Sequence, residues 1–339
     1  MPSWGEILTE INTSQQPVMQ LDAVRKKYLV RLHQHTKRPV IVYATRWVSP
    51  LPNMDPTVLS VDIADIQGLM EVMKGIDSTE LDLVIHSPGG SIDAAEAFVR
   101  YLRSKFQHIR AIVPYAAMSA ATMICMACDE VVMGKHSFLG PIDPQFVMQT
   151  PLGPRAVPAQ AIVEQFNKAQ KEISGDQSKL ASWIPMLGQF GPDLLIRCDN
   201  ANALSKKLVE EWLTSYMLKD NPAQARATAE WLANHTEHKT HSRYLARETL
   251  QAKGIKILPL EKDETLQDEV LSLYHATTLT FQNTVVGKLI ENHLGKCFLL
   301  MGGVPVQQPA IPQGLIQLLQ MPVAPPIAPP FAPPTVPGS

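Results

Sequence analysis

Two short segments of the chain carry residue types whose spacing suits acyl-transfer chemistry. The first is the run IHSPGG at residues 85–90, in which an apolar stretch ends in two glycines, Gly89 and Gly90. Glycine has no Cβ to block a close approach, so backbone N–H groups here can reach a ligand. Such donors stabilise the oxyanion of an acyl-transfer intermediate. The alternative is a tight turn without function, because Gly-rich turns of this kind open many α/β units.

Ser119 lies in the second segment, among small residues in the run YAAMSAA at 115–121. The pattern predicts that Ser119 follows a strand and begins a helix, with its hydroxyl pointing outward. The next amide, from Ala120, then faces the same space, and a helix start favours negative charge there. The run differs from the G-x-S-x-G elbow of α/β-hydrolases. The alternative is that Ser119 only caps the helix, a common role for serine.

Strands that alternate with helices must hold these two segments. The pattern predicts strands at 39–45, 81–86, 109–113 and 130–133, and helices at 20–36, 60–74, 91–106 and 119–128. This alternation implies βαβ crossovers and a parallel sheet covered on both faces. Farther along, we expect a loop or hairpin at 149–158, helices over 159–234, a strand at 253–259, a helix at 266–281 and a strand pair within 288–300.

Two of the predicted helices show one-sided apolar patterns. The first helix has Leu21, Val24, Tyr28 and Leu32 on one face, and the 60–74 helix has Ile63, Ile66, Met70 and Met73. These side chains are expected to face the core.

Composition fits a soluble globular protein: of 339 residues, 45% are hydrophobic and 18% charged, with a net charge of -2. A net charge so close to zero gives no indication that the protein binds nucleic acid or anionic lipid. The four cysteines form no disulfide framework and favour a reducing, cytoplasmic location. The N-terminus shows no secretory signal. The uncharged run at 111–128 is about as long as a membrane span. Its proline, its small residues and the following acidic pair predict a buried strand plus a buried helix instead.

Together, the two segments resemble the Clp-fold serine peptidases. HSPGG, then MSAAT, then DEVVMG and SFLGPIDPQ follow one another as they do in that group, which includes the Clp protease proteolytic subunit and signal peptide peptidase A. The resemblance is most marked for the SDH-type (serine dehydrogenase proteinase) members. It is strongest over 81–145 and continues through 204–213 and 238–276. It implies an α/β Clp/crotonase-like ββα spiral with a helical C-terminal extension, Ser119 as nucleophile, and oxyanion donors from the amides of Gly89 and Ala120.

Serine needs a general base, and the sequence leaves its identity open. Where the Clp proteolytic subunit has its histidine, this chain has Ile142-Asp143-Pro144, and the nearby His136 aligns less well. The signal peptide peptidase branch implies a lysine, for which Lys171 is the first candidate and Lys168 the second. A lysine acts as a base only when its surroundings lower its pKa, and a solvated helix face is the alternative. His241, in a His-Ser-Arg motif of the family, is a further candidate.

Other motifs are set aside. The CxxC pair Cys125 and Cys128 lies in an apolar helix, where cysteine behaves as a small hydrophobe, and a zinc site would need a second pair. The three histidines of HxxHxxH, at 235–241, do not share one helix face, so a three-ligand site is not expected. There is no GxxxxGK[ST] phosphate loop.

The sequence therefore predicts a serine endopeptidase that hydrolyses peptide bonds through an acyl-enzyme on Ser119, with a lysine base and no cofactor or metal. The alternatives are a crotonase-type acyl-CoA enzyme and a catalytically silent scaffold of the same fold. We expect peptide or protein substrates, a homo-oligomer, and at most peripheral contact with membranes. The predicted organisation is an N-terminal helical segment (1–36), a hydrolase domain with helical insertions (37–285), a strand pair (286–301) and a proline-rich disordered tail (302–339).

Overall fold

Thirteen helices and twelve strands make up the part of the chain that the computed structural model describes, residues 3–13, 17–150 and 153–302. The helices are α1 Trp4–Asn12, α2 Pro17–Thr36, α3 Pro56–Leu59, α4 Asp65–Met73, α5 Ile92–Arg103, α6 Ala120–Met126, α7 Ala159–Gly175, α8 Leu180–Leu187, α9 Leu194–Ser215, α10 Pro222–Ala233, α11 His235–His238, α12 Arg247–Ala252 and α13 Glu264–Asn283. The strands are β1 Val40–Thr45, β2 Glu80–His86, β3 His108–Val113, β4 Ala116–Ala117, β5 Glu130–Met133, β6 Phe138–Leu139, β7 Gln145–Thr150, β8 Gly153–Pro158, β9 Leu245–Ala246, β10 Ile257–Pro259, β11 Val286–Asn292 and β12 Cys297–Met301. The predicted proline-rich tail, beyond Gly302, lies outside the described residues.

The main sheet has the strand order β10-β5-β3-β2-β1-β11-β12. Strands β10, β5, β3, β2 and β1 run parallel, and β11 and β12 join antiparallel beside β1. The predicted parallel sheet is confirmed. Because the carboxyl ends of parallel strands meet at one edge, the segments that follow β2 and β3 come together there.

Helices cover both faces of this sheet, since its strands are apolar on both sides. One face packs against α1, α2 and α13, where the side chains of Leu21, Val24, Tyr28 and Leu32 are buried as predicted. The other face packs against α4, α5, α6, α9 and α10. The strand residues alternate between the two cores: Leu83 faces one and Val84 the other. The segments that carry the candidate site are therefore fixed from two sides.

The uncharged run at 111–128 is interior structure. It forms the end of β3, then β4, then α6, in which every residue is buried. The predicted strand and helix are thus confirmed. Among the helices of the described residues, none combines the length and the apolar character that a bilayer crossing requires.

The predicted helix over 60–74 is wrong at its N-terminal end. Val61 instead bridges Gly90, its N–H donating to the Gly89 carbonyl at 2.7 Å, and this holds the chain extended. The helix α4 begins only at Asp65. Ile63 and Met70, expected in the core, are 60% and 57% exposed. The tertiary contact with the glycine pair therefore overrides the local helical pattern.

The C-terminal half confirms the predicted hairpin, helices and strand pair. Strands β7 and β8 pair antiparallel, with β7 beginning at Gln145. The predicted strand at 253–259 is shorter, spanning Ile257–Pro259. Strand β11 is hydrogen-bonded to β1 and β12 to β11, so the pair extends the main sheet.

Candidate active site

The segments after β2 and before Ser119 lie side by side. The Ser87 N–H donates to the Ala116 carbonyl at 3.1 Å, and the Met118 N–H donates to the Ser87 carbonyl at 2.9 Å. This parallel bridge continues the sheet past the end of β2. It brings the glycine pair against the serine segment, as their positions at neighbouring strand ends predict.

Gly89 touches the backbone around Ser119. A Cβ on Gly89 would stand 2.4 Å from the Met118 carbonyl oxygen and 2.6 Å from the Ser119 Cβ. The φ of Gly89 is also +92°, a backbone conformation that residues with a side chain rarely adopt. Its N–H donates to Ser87 Oγ at 3.1 Å. Glycine is therefore required here by both the conformation and the close approach.

Gly90 is confined on its other side. A Cβ on Gly90 would stand 2.3 Å from the Val61 carbonyl oxygen. The bridge to Val61 uses the Gly89 carbonyl and the Ser91 N–H, so it leaves the Gly90 N–H unused. Ser91 caps α5 by accepting from the Ala94 N–H at 3.3 Å.

Ser119 has an unusual backbone conformation, with φ 51° and ψ -122°. A residue with a side chain at positive φ is strained, and such strain concentrates at functional sites. The Ser119 side chain makes no capping hydrogen bond to α6, although it occupies the N-cap position. The reading of Ser119 as a simple helix cap therefore lacks its defining contact, and the half-buried hydroxyl remains available.

Hydrogen bonds tie the serine segment to the chain at 140–144. Thr122 Oγ1 donates to the Ala117 carbonyl at 2.7 Å and accepts from the Gly140 N–H at 3.0 Å. Beyond Gly140, Ser205 Oγ donates to the Ile142 carbonyl at 2.7 Å. The Ile142 N–H donates to a carbonyl of α10 at 3.0 Å. These bonds fix the backbone on which Asp143 follows.

Asp143 holds two histidines. Its carboxylate is 1% exposed, and its two oxygens accept separately from His241 Nδ1 at 2.7 Å and from His235 Nδ1 at 2.9 Å. An ionised carboxylate only accepts, so each imidazole donates its Nδ1–H. A neutral His241 then carries the lone pair on Nε2, which is the tautomer that a general base needs.

Ser119, the glycine pair and His241 line one cavity of about 650 Å³. Its apolar wall consists of Ile92, Met123, Ile142, Phe146, Val147 and Leu204. His235, the other partner of Asp143, is not among the residues that line it. The described residues thus bring a serine, backbone donors and an oriented imidazole to one concave, mostly apolar site, as binding sites commonly are.

Lys171 and Lys168 lie elsewhere. Both are exposed on α7 and line a different shallow cavity, which shares no lining residue with that of Ser119. A base needs hydrogen-bond reach to the nucleophile, and a lysine base also needs desolvation. His136 is engaged with the Pro114 carbonyl at 3.0 Å and lines a third cavity.

The CxxC pair is buried, but only Cys125 lies in α6; Cys128 follows the end of that helix. Burial raises the pKa of the Cys125 thiol and raises that of Cys128 to about 12, so both thiols stay protonated. Over the described ranges, no group of three His, Cys, Asp or Glu side chains is arranged to hold a metal ion. His238, the middle histidine of HxxHxxH, pairs with the Trp231 carbonyl at 2.7 Å.

The sequence indicates His241 as a further candidate base, but it indicates no role for Asp143 or His235. The only local signal was an aspartate between Ile142 and Pro144, a short polar interruption in an apolar run. The carboxylate becomes distinctive only when the fold brings α11 and the segment after it to this position.

Comparison with solved structures finds similar chains at low sequence identity and low TM-score. They are a variant of 1510-N, a membrane-bound stomatin-specific protease (14% identity, 58% of this chain and 74% of that chain, TM-score 0.34), and a ClpP1 variant from Listeria monocytogenes (14%, 69% and 99%, TM-score 0.31). An enoyl-CoA hydratase from Mycobacterium avium subsp. paratuberculosis also matches (14%, 61% and 95%, TM-score 0.24).

Two uncharacterised proteins of Methanocaldococcus jannaschii are similar in sequence. One is 31% identical over 166 residues, which are 49% of this chain and 55% of the relative; the other is 30% identical over 167 residues, 45% of this chain and 54% of the relative. The chain thus spans about half the length of the curated relatives it matches.

A family profile described as ClpP-like SDH-type serine proteinase matches residues 7–185, which is more than half of the chain. That range includes the glycine pair, Ser119 and Asp143. The predicted family and the predicted α/β Clp-type fold are both confirmed. The chain belongs to the family of ClpP-like SDH-type serine proteinases.

Proposed function

We propose that this protein is a serine peptidase in which Ser119 is the nucleophile, His241 the general base and Asp143 the group that orients the base. The observation that carries the proposal is the His241–Asp143 hydrogen bond of 2.7 Å at the cavity that Ser119 lines. Nucleophile, base and orienting acid are recognised by geometry and role, whatever their order along the chain.

The proton path follows from the tautomer of His241. Its Nε2 accepts the Ser119 hydroxyl proton as Oγ bonds to the substrate carbonyl carbon, and Asp143 stabilises the imidazolium through the Nδ1–H. His241 then gives the proton to the departing amine as the carbon–nitrogen bond breaks, leaving an acyl ester on Ser119. A water molecule, deprotonated by His241, hydrolyses that ester and regenerates the serine.

The oxyanion donors in this proposal are the amides of Gly89 and Ala120. In the free protein, the Gly89 N–H donates to Ser87 Oγ at 3.1 Å, so the substrate oxygen has to replace or share that acceptor. The close packing of Gly89 against Ser119 supports its role, because a donor must stand near the attacked carbon. The unused N–H of Gly90 is a neighbouring donor on the same cavity wall.

The cavity wall supports cleavage next to apolar residues. Met123, Ile142 and Leu204 line the space around Ser119, while Arg197 and Asp93 contribute one charge of each sign. An apolar side chain that enters such a pocket gains roughly 1–3 kcal/mol from burial. We expect peptides with leucine or methionine before the scissile bond to be cleaved faster than those with aspartate or lysine there.

Labelling with a fluorophosphonate probe tests the nucleophile. The full chain should be labelled and should cleave a fluorogenic leucyl peptide, and Ser119→Ala should do neither while unfolding at a similar temperature. A folded wild-type chain that reacts with no probe and cleaves no peptide refutes the proposal and favours the silent scaffold. Tight acyl-CoA binding in calorimetry, retained by Ser119→Ala, would favour the crotonase-type alternative.

Assembly and location form a further part of the proposal. We propose a homo-oligomer that works in the cytoplasm on peptide or protein substrates. The buried, unpaired state of Cys125, Cys128 and Cys198 supports a reducing compartment. Sedimentation of the purified full chain tests the oligomer, and a monomer that retains peptidase activity would refute it.

A further inference from the structure

A second cavity, separate from that of Ser119, lies at the end of β1. It has a volume of about 500 Å³, within the usual range for a small-molecule site. We call it the Arg46 cavity and define it by Arg46, Tyr115, His136, Tyr274, His275 and Phe281. None of its lining residues lines the Ser119 cavity. The proposed peptidase function gives it no task.

Aromatic rings build much of its wall. Tyr115 and Tyr274 stack with ring centres 5.9 Å apart, and Tyr274 meets His86 edge-on at 5.1 Å. Phe281 and Leu271 of α13 add apolar surface. Flat rings arranged in this way offer a planar or chain-like apolar group contact on several sides.

His86 belongs to this wall as a neutral group. It is 3% exposed, and burial lowers its pKa to about 4. Its Nδ1 pairs with the Ala116 carbonyl at 3.2 Å, which assigns the proton to Nδ1 and leaves Nε2 without one. His86 therefore contributes an acceptor, and the positive charge of the cavity comes from elsewhere.

Arg46 is a cation whose charge is not compensated by any carboxylate of the described residues. Its side chain donates to the carbonyls of Ser49 at 2.8 Å and Thr284 at 2.7 Å, and no ion pair involves it within the described part of the chain. Burial lowers the pKa of the guanidinium. No aspartate or glutamate of the described residues lines the cavity. A guanidinium that has hydrogen-bond donors left over, in a pocket whose described lining contains no carboxylate, favours binding of an anion.

Thr45 supplies an independent indication. Its side chain is 1% exposed and lines the cavity, yet its Oγ1 has no hydrogen-bond partner among the described residues. A buried hydroxyl without a partner costs free energy, and native proteins seldom leave one unsatisfied. A ligand oxygen beside Arg46 would satisfy it.

We propose that the Arg46 cavity binds a small carboxylic acid with an apolar, preferably aromatic, body. The carboxylate takes hydrogen bonds from the Arg46 guanidinium and the Thr45 hydroxyl. The apolar body lies between Tyr274 and Phe281. An acid is favoured over a neutral molecule of the same shape because the cavity holds a cation and, in its lining, no carboxylate.

Calorimetry on the full chain with 4-phenylbutyrate and its neutral amide tests the proposal. The acid should bind at least tenfold more tightly than the amide. Arg46→Gln should bring the acid to the level of the amide, whereas Arg46→Lys should retain part of the preference. Equal affinity of acid and amide, an unaffected Arg46→Gln variant, or no binding of the acid each overturns the proposal.

A plug variant checks the location without relying on Arg46. Thr278→Trp fills the cavity from α13 and should abolish binding, while Thr265→Trp, at an exposed position of the same helix, should not. Thermal unfolding confirms that each variant is folded. Ser119→Ala should bind 4-phenylbutyrate as the wild type does, which separates this site from the peptidase site; loss of binding in that variant overturns the assignment.

Discussion

The two histidines on Asp143 provide a matched pair of perturbations. His241 and His235 each donate Nδ1–H to one oxygen of the same carboxylate, at 2.7 and 2.9 Å, but only His241 lines the Ser119 cavity. His241→Gln removes the base and leaves an amide that can still bond to Asp143. His235→Gln makes the same chemical change one carboxylate oxygen away. The comparison separates a catalytic role from a structural one.

The expected rate losses of the two variants differ by orders of magnitude. Loss of the base in a Ser-His-Asp arrangement costs roughly 10³–10⁶-fold in rate, or about 4–8 kcal/mol of transition-state stabilisation. His235→Gln removes one hydrogen bond to a carboxylate, worth about 1.5–3 kcal/mol, and the replacement amide restores much of it. Its rate should fall less than about tenfold. His241 is 24% exposed and His235 is 14% exposed, so neither change opens a large cavity.

The assay is the second-order rate of labelling by a fluorophosphonate probe, with Ser119→Ala as the blank. His241→Gln should approach the blank, and His235→Gln should stay near the wild type. Lys171→Met and Lys168→Met should label at the wild-type rate. Wild-type labelling of His241→Gln would refute the histidine base, and a large loss in either lysine variant would restore the lysine that the sequence nominated.

Three further predictions concern the backbone and the strand ends. Gly89→Ala should abolish labelling and lower the free energy of unfolding by roughly 2–4 kcal/mol, because the new Cβ would clash with backbone atoms. The control is Gly295→Ala, at φ +85° in open space, which should lower the free energy of unfolding in chemical denaturation by only about 1 kcal/mol and keep activity. The free energy of unfolding of Ser119→Gly should be about 1 kcal/mol higher than that of Ser119→Ala, because glycine adopts the φ of 51° without strain and alanine does not. Equal free energies of unfolding would contradict backbone strain at this position. His86 has its pKa lowered to about 4 in the folded state, so the unfolded chain takes up its proton first and stability should fall by roughly 3 kcal/mol between about pH 6.5 and pH 4; a His86→Gln variant with an unchanged pH dependence of unfolding would contradict it.

The sequence predicted the elements that carry strong local patterns. The apolar strand before the glycine pair, the helix after it and the α2 face all follow from residue type and spacing. The adjacency of Gly89 and Ser119 is a consequence of the predicted parallel sheet, because neighbouring parallel strands bring their ends together. The helix start at 60 failed because a partner distant in sequence, Gly90, holds Val61 extended.

The sequence named the proposed base, His241, only as a further candidate behind two lysines. His241 stands in a segment with two other histidines, and no periodicity distinguishes it from His235 or His238. What distinguishes it is Asp143, which lies far from it along the chain. Lysine was favoured because it matched a spacing within one branch of the family, and spacing alone says nothing about burial or reach. The sequence also could not single out Arg46, because only the fold shows that no carboxylate of the described residues forms an ion pair with it.

The second histidine, His235, explains how the Asp143 carboxylate can be buried next to His241, the proposed base. Asp143 is 1% exposed, and an ionised carboxylate at that depth is costly unless both oxygens accept hydrogen bonds. Among the described residues only His241 pairs with Oδ1. In the proposed mechanism that bond has to persist while the imidazole alternates between its neutral and charged forms. His235 and the Gln145 amide, at 2.9 and 3.1 Å, satisfy Oδ2. They hold the carboxylate in place and leave Oδ1 for His241 alone. In the proposed mechanism His235 is therefore a positioning residue, although it does not line the Ser119 cavity.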